Sequence, residues 1–190
     1  MHEYVGLNNQ ILIPNNVTLI GENAFYNHES LISVEIPDSV TSIGYQAFYY
    51  CSNLTSVVIG NGVTSIGGRA FSDCYGLTSV VIGDGVTSIG SSAFGSCSIA
   101  SVVIPNSVTS IGSMAFINCY KLVEVINKSS NITVLKGDLS NGYVGYYALS
   151  VSNCDDSYVS RVSNDNGYII YAEGEEKILG GYVGSERLLR

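Results

Sequence analysis

The chain repeats one pattern of apolar and polar residues every 23 positions. The segment from Leu54 to Gly76 reads LTSVVIGNGVTSIGGRAFSDCYG, and it aligns with the segments 23 residues before and after it with nearly every apolar residue in place. One step is 22 residues long, because a residue is missing between Cys97 and Ile99. A fixed period of this length is typical of a solenoid, in which each repeat stacks on the next.

Within each repeat, numbered from the residue equivalent to Leu54, nearly every apolar residue keeps its position. Val or Ile recurs at positions 4 and 6 between polar or variable residues, which predicts a half-buried β-strand. Pro or Gly followed by Asn or Asp then predicts a turn, and Val-Thr-Ser-Ile predicts a second short strand. Gly, Ala, Phe and Cys follow at the spacing of one helical turn with one buried face. The phenylalanines of this column are Phe25, Phe48, Phe71, Phe94 and Phe116.

These periods predict an α/β, strand-rich solenoid of parallel stacked strands with short helical turns. Residues 1–10 are predicted to cover its N-terminal end, and residues 11–127 to form five repeats and the start of a sixth. Residues 128–190 are predicted to be a degenerate repeat followed by a C-terminal cap or spacer.

The C-terminal part departs from the repeat in three places. Residues 131–136 predict an extra strand inside an insertion. Residues 145–149, GYYAL, are interpreted as a late copy of the Gly-x-x-Ala-Phe element, with Leu in the place of Phe. Two apolar segments joined by Glu-Gly-Glu-Glu predict a β-hairpin over residues 168–182.

Charge and composition narrow the classes of function. Eight Lys and Arg against 16 Asp and Glu give a net charge of −8, which argues against nucleic-acid binding because phosphates need a clustered positive surface. No apolar run approaches the roughly 18 residues of a membrane span. The first residues, MHEYVGLNN, have neither a basic nor an apolar stretch, so no signal peptide is predicted in this chain.

Four cysteines recur at position 21 of the repeat, and His28 takes this place in the first one. The four are Cys51, Cys74, Cys97 and Cys119. A metal site is one interpretation of such a column. However, the residues recur at the repeat period rather than at ligand spacing, and stacked side chains point the same way, so buried reduced thiols are favoured. Cys154 lies outside the column and is predicted to be free.

The residues CSNLTSVVIG at 51–60, VTSIG at 63–67 and Ala-Phe at 70–71 resemble the BspA-like class of leucine-rich repeats, a family with 23-residue repeats. The resemblance extends over about residues 11–126 and implies a leucine-rich repeat fold with the first strand on the concave face. It also implies a surface-exposed or secreted protein that adheres to host proteins or other cells. The chain departs from the family pattern at Gly60, where the family has Pro.

On the first strand of each repeat, positions 3 and 5 point away from the core. The candidate partner-binding residues at these positions are Ser33, Glu35, Ser56, Val58, Ser79, Val81, Ser101 and Val103, and Glu124 and Ile126 continue the series. A nearly uncharged stripe with valines in line suits a protein partner, because it is easily desolvated. The alternative is that Ser and Val are present only because they favour β-structure.

Two other features have competing interpretations. Five tyrosines near the helical turn, Tyr26, Tyr49, Tyr50, Tyr75 and Tyr120, suit either an interface or the edge of a core, and the core edge is favoured. The tract NDNG at 164–167 contains calcium-type ligands but lacks the downstream Glu of a calcium loop. A turn is therefore favoured there.

The sequence contains no recognisable catalytic pattern. Its two histidines are His2 and His28, and no GxSxG, P-loop or HExxH motif is present. Runs such as Gly60-Asn61-Gly62 are turns before a strand, not phosphate-binding loops before a helix. The sequence predicts no enzyme, no cofactor and no metal.

Together with the resemblance, these observations favour a non-catalytic protein-binding module of an adhesin-like surface or secreted protein. Its partner would be a protein, such as a host or extracellular-matrix protein, held on the concave sheet. The alternative is a structural scaffold or spacer with no ligand site of its own. A third hypothesis is a regulatory or targeting region of a larger enzyme.

Overall fold

The structure is a computed structural model that describes residues 10–154, 158–160, 182–183 and 186–187. Residues 1–9 of the predicted N-terminal cap and almost all of the predicted hairpin at 168–182 lie outside the described residues, as does the NDNG tract.

Each repeat contributes one strand to the first face of a parallel solenoid. Strands β1 (Gln10–Leu12), β3 (Ser33–Ile36), β5 (Ser56–Ile59) and β7 (Ser79–Val81) pair in that order. Strands β9 (Ser101–Ile104), β11 (Glu124–Asn127) and β12 (Ser150–Ser152) form a second parallel run, and β13 (Tyr158–Ser160) pairs antiparallel with β12. The first-strand face therefore consists of two sheets placed end to end.

The second short strand of each repeat forms a continuous parallel sheet. Its members are β2 (Leu19–Ile20), β4 (Ser42–Ile43), β6 (Ser65–Ile66), β8 (Ser88–Ile89) and β10 (Ser110–Ile111). Threonine hydroxyls run along it, because each donates to the threonine carbonyl of the preceding repeat, as Thr64 Oγ1 does to Thr41 O at 3.0 Å. Near the C-terminus, β14 (Tyr182–Val183) pairs antiparallel with β15 (Glu186–Arg187).

The core is a set of side-chain ladders, as the repeat predicted. The five phenylalanine rings form one stack, with successive centroids 4.8, 5.0, 5.4 and 5.3 Å apart. Phe48, Phe71, Phe94 and Phe116 are fully buried, and Phe25 is half-buried at the N-terminal end. Each buried ring contributes roughly 1.5–3 kcal/mol relative to exposure.

The third side of each repeat is a run of tight turns, not the helical turn that the spacing predicted. Non-glycine residues there adopt the left-handed conformation, as Arg69 does with φ 55° and Asp73 with φ 58°. The backbone groups bond across repeats: Phe48 N donates to Ala70 O at 2.7 Å, and Tyr50 N donates to Ser72 O at 3.0 Å. These bonds alternate with turn bonds inside the repeat, such as that from Tyr49 N to Gln46 O at 3.1 Å, in place of the regular internal bonds of an α-helix.

The 22-residue step interrupts the first-strand face. Strands β7 and β9 are neighbours in the stack but do not pair, whereas the β2–β10 sheet and the phenylalanine stack pass this point unbroken. The missing residue lies in the segment that leads into β9, and we infer that this shorter segment keeps β9 from pairing with β7.

After β11 the stack continues by one more strand, because β12 pairs in register with β11. Residues 131–136 form no strand, contrary to the prediction. Asn127 and Asn153 occupy the column that holds Ile elsewhere, and Asn127 Nδ2 donates to Asn153 Oδ1 at 2.8 Å. Asn153 also bonds to both backbone groups of Val134, at 3.0 and 3.1 Å. The insertion is thus held by buried amides instead of by a strand.

The interpretation of residues 145–149 as a late Gly-x-x-Ala-Phe element is wrong. Phe94 N donates a hydrogen bond to Ala115 O in the next repeat. One repeat later, Phe116 N donates the equivalent bond to Gly142 O, so Gly142 is the structural equivalent of Ala115. Leu149 N donates to Val123 O at 2.7 Å, which places the buried Ala148 at position 1 of the next repeat.

Candidate functional site

The eight predicted partner-binding residues lie on one face of the molecule. Along each first strand the buried residues alternate with more exposed ones, as in the pattern of Val57 and Ile59 with Ser56 and Val58 in β5. In-register pairing places Glu35 beside Val58 and Val58 beside Val81. Ser101 and Val103 belong to the second run of strands, across the break between β7 and β9.

The valines of this face form an exposed apolar stripe. Val58, Val81 and Val103 are 42%, 53% and 39% exposed, although valine is usually buried. Adjacent strands lie about 4.8 Å apart, so these side chains follow one another closely across the sheet. Glu35 stands on the same line at the N-terminal side, while the serines at position 3 flank the stripe as small hydroxyls.

A groove of about 710 Å³ runs beside the stripe, over the turns that follow the first strands. Its rim carries a hydrogen-bonded column in which Asn61 N donates to Asp38 Oδ1 at 2.6 Å and Asp84 N donates to Asn61 Oδ1 at 2.9 Å. Glu35 adds a further carboxylate to the lining, and Lys128 lies at the C-terminal end. The groove therefore combines an apolar floor with a mainly acidic rim.

One residue of the stripe was not identified from the sequence. Leu12 pairs with Glu35 at the N-terminal edge of the sheet and is 82% exposed. The signal was present, because Leu12 lies between Ile11 and Ile13, which occupy the two inward positions of that strand. The sequence analysis also did not predict the acidic rim of the groove, because it interpreted Asp38 and Asp84 only as turn residues.

The four cysteines of the column are buried, as predicted, and have free thiols. Each thiol donates to a phenylalanine carbonyl of an adjacent repeat, for example Cys74 Sγ to Phe48 O at 3.1 Å. Burial raises the pKa of Cys119 to about 12 and that of Cys97 well above its ordinary value. Among the described residues no group of three or more His, Cys, Asp or Glu is placed to hold a metal.

The tyrosines lie outside the core on the third side of the molecule. Tyr26, Tyr50 and Tyr75 are 52%, 40% and 50% exposed, and Tyr120 is 71% exposed. They contact one another, with Tyr26 stacked on Tyr49 at 5.4 Å and Tyr50 edge-on to Tyr75 at 5.7 Å. The interpretation as the edge of the core accounts only for the buried part of these rings. Their exposed surface is available to a ligand.

The sequence model of the family described as BspA type leucine rich repeat region matches residues 3–123 in six copies. The chain belongs to this family. The BspA-type identity confirms the resemblance drawn from the repeat sequence, and the strand-rich solenoid is the fold that it implied. Comparison with curated proteins gave no match.

Solved structures of similar proteins have the same architecture. The leucine-rich repeat protein TpLRR of T. pallidum is 31% identical, with a TM-score of 0.64 over 76% of this chain and 72% of that one. A leucine-rich repeat protein of Bacteroides ovatus is 34% identical, with a TM-score of 0.60 over 72% of this chain and 35% of that one. One from Eubacterium ventriosum, at 24% identity and TM-score 0.53, covers 80% of this chain and 36% of that one and shows the fold alone.

Proteins with BspA-type and other leucine-rich repeats are generally non-enzymatic and typically serve in protein interaction or as scaffolds. The described part of this chain has that architecture. It contains no helix with the length and apolar character needed to cross a bilayer. The chain spans about a third of the length of the B. ovatus and E. ventriosum proteins.

Proposed function

We propose that this chain is a non-catalytic protein-binding module of an adhesin-like surface or secreted protein, and that it binds its partner on the first-strand face. The observation that carries the proposal is the exposed apolar stripe of Val58, Val81 and Val103 beside a groove. Exposed valines in line are uncommon on a surface that has no partner.

The physical argument is one of desolvation. Removing water from valine side chains is favourable by roughly 25 cal/mol per Å², and the flanking serines carry no charge whose hydration would be lost. On each side of the break between β7 and β9 the backbone is already hydrogen-bonded between strands, so a partner that covers these sheets leaves few of their polar groups unsatisfied. The stripe is thus suited to form the apolar centre of an interface.

The acidic rim indicates the chemistry of the partner. Asp38, Asp84 and Glu35 line the groove together with the single cation Lys128, in a chain of net charge −8. A partner segment that places an apolar residue on the valines and Lys or Arg beside the rim would match both features. Surface location or secretion is part of the proposal and rests on the family resemblance.

The proposal is tested by placing charges on the stripe. The triple variant Val58→Lys, Val81→Lys, Val103→Lys introduces desolvation cost at three adjacent contacts. We expect it to bind immobilised fibronectin, laminin or collagen at least tenfold more weakly than the natural chain, measured by surface plasmon resonance; tenfold corresponds to about 1.4 kcal/mol. Circular dichroism checks that the variant keeps its sheets.

A matched control separates the stripe from the change in net charge. Leu19→Lys, Tyr45→Lys and Met114→Lys make the same charge change at exposed apolar positions away from the first-strand face. This triple variant should bind like the natural chain. The proposal would be contradicted if both triple variants bound the matrix protein equally weakly, or if the variant with lysines at Val58, Val81 and Val103 bound it as tightly as the natural chain. Absence of binding by the natural chain to any matrix protein would favour the scaffold alternative.

A further inference from the structure

On the third side of the molecule, one repeat has no tyrosine, and tyrosine–tyrosine contacts are found in the repeats before and after it. On the N-terminal side, Tyr50 lies edge-on to Tyr75, with ring centroids 5.7 Å apart. On the C-terminal side, Tyr120 lies edge-on to Tyr147, with centroids 5.1 Å apart. Between Tyr75 and Tyr120 the equivalent position is Ser98, in the repeat with the 22-residue step. A gap one side chain wide therefore separates Tyr75 from Tyr120, and each of these two rings contacts another tyrosine outside the gap.

This gap is a surface pocket of about 290 Å³, which we call the tyrosine slot. Its volume is just below the roughly 300 Å³ at which the usual range of small-molecule sites begins, which suits a single small ring. Tyr75 and Tyr120 form its two walls, and the side chains around them are Ser96, Ser98, Asn118 and Lys121. Repeats are spaced by about 4.8 Å, so the two walls stand two repeats apart, roughly 10 Å at the backbone.

The walls are held in place before any ligand arrives. The Tyr120 hydroxyl donates to Asn118 Oδ1 at 2.9 Å, which fixes this ring although it is 71% exposed. T-shaped contacts with Tyr50 and Tyr147 further restrict the rings of Tyr75 and Tyr120. A site whose side chains are already ordered loses less conformational entropy on binding.

We propose that the tyrosine slot binds one uncharged hexopyranose ring of a glycan. A pyranose has two apolar faces of C–H groups and a surrounding belt of hydroxyls. The slot has the complementary arrangement, with two aromatic walls and the Ser96 and Ser98 hydroxyls, the Asn118 amide and the Lys121 ammonium around them. Contacts of about 3.5–4.0 Å to each wall allow one ring between them.

An aromatic side chain of a peptide is the competing occupant, and the hydroxyls of Ser96 and Ser98 in the slot argue against it. A phenyl ring would fill the space between the tyrosines but would cover the Ser96 and Ser98 hydroxyls without offering them a hydrogen bond. A buried polar group left without a partner costs about 1–3 kcal/mol. The sugar satisfies these hydroxyls with its own. The slot lies on a different side from the valine stripe, so this inference does not depend on the function proposed for that stripe.

The experiment uses the full chain with tyrosine rings labelled with ¹³C for NMR. The probes are the methyl glycosides of glucose, galactose and N-acetylglucosamine, titrated to about 20 mM because a single-sugar contact binds in about the millimolar range. We expect at least one probe to shift the ring signals of Tyr75 and Tyr120 in a saturable way and to leave Tyr26 unchanged. N-acetyl-L-tyrosinamide, titrated in parallel, represents the peptide occupant.

Two variants test the geometry. Ser98→Tyr restores the residue that neighbouring repeats carry and closes the gap, and Tyr120→Ala removes an exposed wall. Each should weaken glycoside binding at least tenfold. Tyr26→Ala, which removes a similarly exposed ring outside the slot, should change the dissociation constant less than twofold. Thermal unfolding verifies that all three chains fold, and exposed positions make this the expected result.

The inference would be overturned by any of three results. The first is that no glycoside shifts the Tyr75 and Tyr120 signals. The second is that Ser98→Tyr binds the glycosides as well as the natural chain does. The third is that only N-acetyl-L-tyrosinamide shifts these signals, which would assign the slot to a peptide side chain.

Discussion

The cysteines show how a single side chain serves this fold. Cys97 Sγ donates to Phe71 O at 3.2 Å, and Cys119 Sγ donates to Phe94 O at 3.0 Å. The thiol is small enough for the core and still donates a hydrogen bond to a backbone carbonyl; at Phe94 O this bond adds to the one from Cys97 N. The column is therefore explained by packing and hydrogen bonding.

These thiols predict a dependence of stability on alkaline pH. Burial raises the pKa of Cys119 to about 12 and that of Cys97 well above the ordinary value of 9.0. Above about pH 9 the unfolded chain loses these protons while the folded chain keeps them, so the free energy of unfolding falls as pH rises. Below that pH their contribution is constant. The fall is at most about 1.4 kcal/mol per pH unit for each thiol.

The measurement compares urea unfolding of the natural chain with that of the double variant Cys97→Ala, Cys119→Ala between about pH 7 and pH 10.5. Tyrosines titrate in both chains, so the difference between them isolates the thiols. The natural chain should be the more stable at pH 7, and the gap should narrow above about pH 9. A gap that stays constant over this range would show that the thiols do not keep their protons in the folded state.

At the scale of the element, glycine sets how closely the repeats approach. Gly44, Gly67, Gly90 and Gly112 follow the second strand in successive repeats. A Cβ atom on Gly67 would lie 2.6 Å from the C and O atoms of Gly44, and the equivalent contacts at Gly90 are as close. The atoms that the added Cβ would meet belong to the backbone of the preceding repeat, which is held by hydrogen bonds between repeats, so they cannot move aside.

Adjacent glycines in one repeat provide a test. Gly67→Ala should lower the free energy of unfolding by about 1–3 kcal/mol, because the added methyl group overpacks against the neighbouring backbone. At Gly68 the nearest atoms to an added Cβ are 3.4 Å away, which is ordinary contact. Gly68→Ala should therefore be neutral or stabilise by up to about 1 kcal/mol through the unfolded state.

Both variants are compared by urea unfolding with the same baseline. Similar effects from the two substitutions would mean that the close approach at Gly67 is not what fixes the spacing of the repeats.

The elements show what a sequence of this kind makes predictable. Strands follow from the alternation of buried and exposed positions, and Val34, Val57 and Ile59 are buried as the pattern requires. The tight turns do not follow from it, because Arg69 and Tyr50 adopt positive φ without being glycine. Bonds from neighbouring repeats stabilise that conformation, and such bonds are not visible in the sequence of one repeat.

The candidate site was predictable to a similar degree. Exposure of Val58, Val81 and Val103 follows from the same alternation. The tyrosine slot does not follow from this alternation, because it depends on a serine, Ser98, at a position where the two adjacent repeats carry tyrosine. Nor does the buried Asn127–Asn153 pair, since asparagine in an otherwise apolar column is informative only when its partner is known.

At the scale of the whole molecule, the 22-residue step divides one face and leaves the others continuous. Inserting one glycine between Ser98 and Ile99 restores the 23-residue period. We expect this insertion to join β7 to β9 and to slow hydrogen exchange of the β9 amides that face β7 by about tenfold or more, because these amides gain partners. Mass spectrometry or NMR of the exchanging chain measures the effect.

A glycine inserted next to Gly137, in an exposed turn, is the control and should leave exchange in β9 unchanged. If the first insertion gives a folded chain in which β9 exchanges as before, the missing residue is not the cause of the break.

The column formed by Asp38, Asn61 and Asp84 has a consequence for how such a protein changes over generations. The side-chain oxygens of Asp38 and Asn61 each accept a hydrogen bond from the amide of the equivalent residue one repeat later. The two ends of a repeat in this part of the stack therefore offer the same docking chemistry. Misaligned genetic recombination that removes or duplicates one entire unit creates a junction of a kind that the protein already contains, so arrays of different lengths arise without the invention of any new contact.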